Sequence, residues 1–295
     1  YYAGFASMFV AQVLLARFMT AEEFGLLAII LAVFSLVEMP FVGRCNDLSY
    51  RSVSKAKVGG LSLRSVVKAI FLNDLRISVF VWSIATAVCG FIGFFFEEES
   101  AFLCALIFLA LPLQAGYAGL KVSMLTYNKN VGLSVYEASY SLVYLCLVPL
   151  AAWYAGLFGV LSAIVFLALG KNIALLLLVA RLEDYRSKRG SEVDIAIEGG
   201  SFSVPLLRNF FNNAINQIDI VLLGALLGPS TIANYKVAKV LAGLPVKICS
   251  PVWRIAQPQM IKCLNAHDDH GLREVLGSAG KILLIVLAVS ALVLG

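Results

Sequence analysis

The chain has 295 residues, 60% of them hydrophobic and 14% charged, with a mean hydropathy of +0.89. Soluble domains carry about 25% charged residues, so this composition excludes an ordinary soluble fold. The formal charge of +5 could suit a nucleic acid, but in a membrane chain it must first be read as a signal of topology.

Crossing a hydrocarbon core of about 30 Å takes about 20 residues of helix. In chain order, apolar runs predict spans over residues 3–19, 24–42, 77–96, 101–120, 133–153, 156–180, 204–227 and 232–253, with a ninth starting at 282. Runs such as residues 173–180 do not alternate, which excludes the short alternating strands of a membrane barrel. The expected class is therefore all-α, a polytopic helical membrane protein. Between spans two and three, residues 50–76 carry Gly59-Gly60 and apolar positions among basic ones, a pattern that predicts an amphipathic helix at the cytoplasmic surface. The chain opens Tyr1-Tyr2 and stops 14 residues into its ninth apolar run. Both ends read as cut, so a fragment is expected; without an n-region or cleavage site before span one, the missing start is expected to be short.

The six cysteines are scattered without metal or disulfide spacing and read as small packing residues. His267 and His270 lie in a polar His-Asp-Asp-His segment and read as a solvated loop. No cofactor and no metal is expected.

Sorting the loop charges orients the chain. The loops after spans two, four, six and eight hold every loop lysine and arginine except Arg17, while one opposite loop is Glu97-Glu98-Glu99. The positive-inside rule makes the basic loops and the N-terminus cytoplasmic. The net charge is thereby an orientation signal, and a nucleic-acid partner drops out.

Four lysines fall inside spans: Lys171, Lys236, Lys239 and Lys247. A charge at the bilayer centre costs about 2.5 to 3.5 kcal/mol on insertion scales, so such residues face a cavity or a partner. Lys236, Lys239 and Lys247 share an arc of roughly 80° at about 100° per residue, beside Gly243 and Pro245. A basic stripe next to a helix break suits an anionic headgroup. On span seven, Arg208, Asn212, Asn216 and Asp219 form one polar face over a similar arc of roughly 80°. Asp219 is the candidate for ion coupling or for pairing with a lysine of span eight. Lys171 lies near mid-membrane. Glu38, Arg17 and Glu137 fall close to span ends and read as interfacial.

A weak self-match at an offset of 208 residues lays Leu14 to Leu27 over Leu222 to Tyr235. It equates the first hairpin with that of spans seven and eight. Six spans per repeat would give two lobes of like orientation: a first lobe over residues 1–181, a cytoplasmic linker over 182–203, and a truncated second lobe over 204–295.

The stretch Leu14-Leu15-Ala16-Arg17-Phe18-Met19-Thr20-Ala21-Glu22-Glu23-Phe24-Gly25-Leu26-Leu27-Ala28 resembles the first-hairpin signature of the polysaccharide-biosynthesis flippases, the Wzx-type O-antigen translocases of the multidrug/oligosaccharidyl-lipid/polysaccharide exporter superfamily. Leu206-Leu207-Arg208-Asn209-Phe210-Phe211-Asn212-Asn213 through Asp219 to Gly224, then Gly228-Pro229 and Ala233-Asn234-Tyr235, is similar to the start of their second lobe. The resemblance implies two lobes around a central cavity, alternating access in the inner (plasma) membrane, and a polyprenyl-diphosphate-linked oligosaccharide as substrate. It also implies contact with membrane lipids and a polysaccharide polymerase as partner.

On that reading Lys236, Lys239, Lys247, Lys171, Arg208, Asn212 and Asn216 bind substrate, and Asp219 couples an ion. A small-molecule exporter of the same superfamily, carrying organic cations, would want an acidic cavity. Four embedded lysines against Glu38, Glu137 and Asp219 favour an anionic cargo instead. A membrane polymerase or ligase would place reactive groups on a sizeable outer loop, and the outer loops here are a few residues each, so no enzyme activity is expected.

Overall fold

A computed structural model of the chain describes residues 2–58, 63–96, 99–126, 130–183, 203–245, 260, 263 and 268–294. Every regular element among them is an α-helix. The chain divides into two compact units, residues 3–233 and residues 234–295 together with 1–2.

Within the first unit, α1 (Tyr2–Phe18) turns at Met19-Thr20 into α2 (Ala21–Val58). A reciprocal cap starts α2: the Glu23 amide donates to Thr20 Oγ1 at 3.2 Å, and the Thr20 amide donates to Glu23 Oε2 at 3.1 Å. Two amide donors that the helix cannot pair itself are thus satisfied. After α2 come α3 (Leu63–Phe96), α4 (Glu99–Phe108), α5 (Ala110–Leu113) and α6 (Tyr117–Thr126). The helix α7 (Asn130–Glu183) is broken at Ala155 and Gly156, where Gly156 has φ 55° and ψ −139°. Its two halves match the spans expected over 133–153 and 156–180. A helix α8 (Ser203–Leu227) and a turn at Gly228 lead into α9 (Pro229–Ala242). Proline suits the first position of α9, where its missing N–H is one the helix would not use.

Two expectations are corrected. The segment 50–76 is not a separate surface helix: α2 runs on to Val58 and α3 begins at Leu63, with Gly59-Gly60 outside the described residues. Elongating an existing helix avoids the nucleation step a new one needs, so the basic flanks prolong the spans. The second correction concerns the span expected over 101–120. It is not continuous but is divided into α4, α5 and α6, with the chain unwound at Gln114–Gly116.

The first unit exposes large apolar side chains as well as burying them, and it buries a few polar ones. Phe94 and Phe166 are 77% and 70% exposed, while Asp74 and Asn172 are 5% and 6% exposed. Phenylalanine outside and polar groups inside is the arrangement a lipid solvent demands. The stretches Phe71–Phe95 and Val131–Leu177 are long and apolar enough to cross a membrane, the second containing the α7 turn. The main core gathers Ile30 of α2, Ile107 of α4 and Val148, Val160 and Leu161 of α7. A smaller cluster of Leu120, Met124, Leu133 and Leu175 packs against Tyr117 and Tyr136.

The helices α2 and α8 lie together. A Cβ on Gly25 would overlap the Pro229 carbonyl oxygen, and one on Gly224 would press on the Ile29 side chain. Glycine at position 25 is what lets the two backbones meet. Glu23 also abuts the turn at Gly156. The turns after α1, within α7 and after α8 therefore gather at one end of the unit. Those are the turns that the charge pattern assigns to the outer side.

The second unit holds the end of α9 and α10 (Asp269–Leu294). Asp268 caps α10 by accepting the Gly271 amide at 2.9 Å. The polar first turns of α10 run straight into the apolar stretch expected from residue 282.

Candidate functional site

The unwound stretch of the fourth span organises a buried polar cluster. Its sequence, Ala110-Leu111-Pro112-Leu113-Gln114-Ala115-Gly116-Tyr117, breaks a helix for local reasons. Pro112 has no amide hydrogen to give. Gly116 takes φ 76°, which side chains other than glycine rarely allow. Tyr117 N then donates to Gln114 O at 3.2 Å, so the Leu113 carbonyl loses the partner a regular helix would provide.

Asn172 of α7 repairs the loss. Its Nδ2 donates to Leu113 O at 3.1 Å and to Ala115 O at 2.7 Å. An irregular backbone at membrane depth persists only where protein groups satisfy it in this way. The Asn172 Oδ1 is buried and has no hydrogen-bond partner, so the cluster retains one open acceptor.

Lys171, the preceding residue, places its ammonium 3.6 Å from the Tyr117 ring centroid and 5.3 Å from that of Tyr140. Tyr136 Oη donates to the Lys171 carbonyl at 2.6 Å and fixes the local backbone. A desolvated ammonium over a ring face gains about 2 kcal/mol. On the other side of the break, Glu38 Oε1 accepts from Gln114 Nε2. Lys121 and Glu137 form an ion pair, each about one-third exposed. The site thus gathers the Glu38 carboxylate, the Lys171 ammonium and the Lys121–Glu137 ion pair around a broken helix, with Tyr117, Tyr136 and Tyr140 beside them. It can hold an anion against Lys171 and a hydrogen-bond donor against Asn172.

Of the residues read from the sequence as substrate-binding or ion-coupling, Lys171 is the one this cluster contains. Asp219 lies half-buried on α8, where its Oδ1 accepts the Ile220 amide at 2.9 Å. Asn216 is exposed on the same helix. Arg208 and Asn212 lie on the α8 backbone, with side chains outside the described residues. Lys236 and Lys239 belong to the second unit, half-buried on α9, and the Lys239 ammonium is 6.0 Å from the Tyr235 ring centroid. Lys247 lies outside the described residues. The sequence reading missed Gln114, Tyr117, Tyr140 and Asn172, and it read Glu38, which binds Gln114 here, as interfacial. The signal available was the spacing Pro112, Gln114, Gly116 inside one apolar span: two helix breakers around an amide.

A family model described as polysaccharide biosynthesis protein matches residues 2–262. No curated protein matches the chain, and no solved structure does.

Proposed function

We propose, from the premise that this chain belongs to the polysaccharide biosynthesis protein family of Wzx-type O-antigen flippases and related exporters, that it flips polyprenyl-diphosphate-linked oligosaccharides across the inner membrane by alternating access. The observation that carries this reading is the Lys171 cluster at the broken fourth span. A diphosphate needs positive charge inside the membrane, and Lys171 supplies an ammonium there; the Asn172 Oδ1, an acceptor, suits a sugar hydroxyl instead of the phosphate. Discontinuous helices form substrate sites in several transporter folds for the same reason, since unwound backbone offers polar groups at membrane depth.

In this proposal residues 1–181 form one lobe, 182–203 a cytoplasmic linker and 204–295 part of the second. The lysines Lys236, Lys239 and Lys247 and the polar face of Arg208, Asn212 and Asn216 are its binding groups in the second lobe, and Asp219 its ion-coupling carboxylate. The basic loops and the N-terminus face the cytoplasm, and a polysaccharide polymerase takes up the flipped product. The lipid tail stays in the bilayer while the headgroup crosses.

Deleting the gene and analysing membrane lipids tests it. The reading expects lipid-linked repeat units to accumulate, unpolymerised, on the cytoplasmic face. Normal polysaccharide export in the deletion strain, or drug sensitivity as its sole phenotype, would contradict it and favour a small-molecule exporter.

A further inference from the structure

Arg17 is the exception to the sorting of loop charges: a basic residue at the end assigned to the outer side, where the positive-inside rule disfavours it. It is exposed in the last turn of α1. Spacings of three and four residues put Leu14, Arg17 and Phe18 on one face of that helix.

Leu14 and Phe18 form one wall of a cavity of about 300 Å³. Cys146, Pro149, Leu150 and Trp153 of α7 form the other, again a single helix face by their spacing. The lining is apolar throughout. Pro149, which has no amide hydrogen, is its buried part, while Phe18, Cys146, Leu150 and Trp153 are exposed, so the cavity is a groove open at the surface of the unit. At its outer end Trp153 and Tyr154, both exposed, meet edge to face at 5.3 Å. Exposed aromatics of this kind mark the level of the lipid headgroups.

We propose that this groove binds one acyl chain of an outer-leaflet phospholipid, whose phosphodiester is held by Arg17. The occupant is a resident lipid and not the cargo, so the inference goes beyond the flippase reading and does not depend on it. Residues 146 to 153 cover about 10 Å of helix, with Arg17 and Trp153 at its outer end. Chain below and phosphate above is the order of a lipid's own parts. A partner helix does not fit: about 10 Å across, it would take roughly 800 Å³ over the same length, far more than the cavity offers. The headgroup is selected by charge. One guanidinium can take two oxygens of a phosphodiester and match its single negative charge. A diphosphate brings more charge than Arg17 can balance, and Glu22 and Glu23 in the first turn of α2 oppose the excess. Once seated, the chain fills the space between α1 and the first half of α7.

Cys146 is a free, exposed thiol in the groove, and its labelling reports the occupant. The full chain in dodecyl maltoside micelles is treated with a maleimide, and modification of Cys146 is followed by peptide mass spectrometry. The micelles carry dioleoylphosphatidylglycerol, dioleoylglycerol or undecaprenyl phosphate. Phosphatidylglycerol should slow labelling roughly threefold or more, and the diglyceride, with the same chains and no phosphate, much less. Arg17→Gln should lose the difference between these two lipids, and Arg17→Lys should keep part of it. Equal labelling rates with the two lipids in the wild type, or the same difference in Arg17→Gln, would overturn the proposal. Slowing by undecaprenyl phosphate alone would also overturn it, and would assign the groove to an isoprenoid tail.

Discussion

Lys171 of α7 meets Tyr117 at the break in the fourth span: the ammonium lies 3.6 Å from the ring centroid, and Tyr117 is the first residue of the helix that resumes after Gly116. The same contact therefore shields a buried charge and clamps the irregular segment. Replacing Tyr117 by phenylalanine keeps the ring face, and transport should stay near wild type. Replacing it by leucine removes an attraction of about 2 kcal/mol, and flipping of a lipid-diphosphate substrate in proteoliposomes should fall roughly tenfold or more.

Asn172 answers for two carbonyls. Asn172→Leu leaves Leu113 O and Ala115 O without their donor, at about 1–3 kcal/mol for each buried group left unpaired. Thermal unfolding in detergent should move down by several degrees, with the helix content of the folded protein little changed. An unchanged midpoint would mean that the break is held by something else.

Gly25 lets α2 approach the start of α9. Gly25→Val puts a branched side chain where the Pro229 carbonyl oxygen already sits, so α2 and the start of α9 must separate. Overpacking of this kind costs about 1–3 kcal/mol. Thiol labelling of a cysteine placed at Ser230 should be faster in the Gly25→Val background than with glycine retained. Equal labelling rates would show that the contact does not close this end.

The Lys121–Glu137 pair joins α6 to α7 beside the cluster. Lys121→Glu should weaken complementation of a deletion strain, and the double exchange Lys121→Glu with Glu137→Lys should restore much of it. Failure of the double exchange to do better than the single would argue against a role for the pair itself.

Much of the helix layout was legible because a lipid solvent imposes length and apolarity on each span. The α1–α2 hairpin, the turn at Gly156 and the extent of α8 were all readable from runs of apolar residues ended by short polar turns. Ala21 and Pro229, the first residues of α2 and α9, stand 208 residues apart, the offset of the self-match. The broken fourth span was not read, although Pro112 and Gly116 were in view, because a hydropathy window averages over a break that keeps its neighbours apolar. Lys171 stood out as a charge in an apolar run. The groups gathered at the break did not, because Glu38, Gln114 and Tyr117 come together there through packing of α2, α6 and α7, a relation between helices that spacing along one helix does not encode. The length of α2 was not read for a related cause: the helix continues well past its apolar part, so the end of the hydrophobic run is not the end of the helix.

The central claim is that Lys171 presents positive charge to a lipid-linked diphosphate within the membrane. The most direct measurement reconstitutes the purified chain in proteoliposomes with a short-chain polyprenyl-diphosphate-linked oligosaccharide. Its appearance on the far face is followed with an impermeant sugar-modifying enzyme, for wild type and for Lys171→Met. The account predicts transfer by the wild type and a loss of at least about tenfold in the variant, which removes an interaction of 1.4 kcal/mol or more, at equal reconstitution. Transfer by Lys171→Met at the wild-type rate would contradict it.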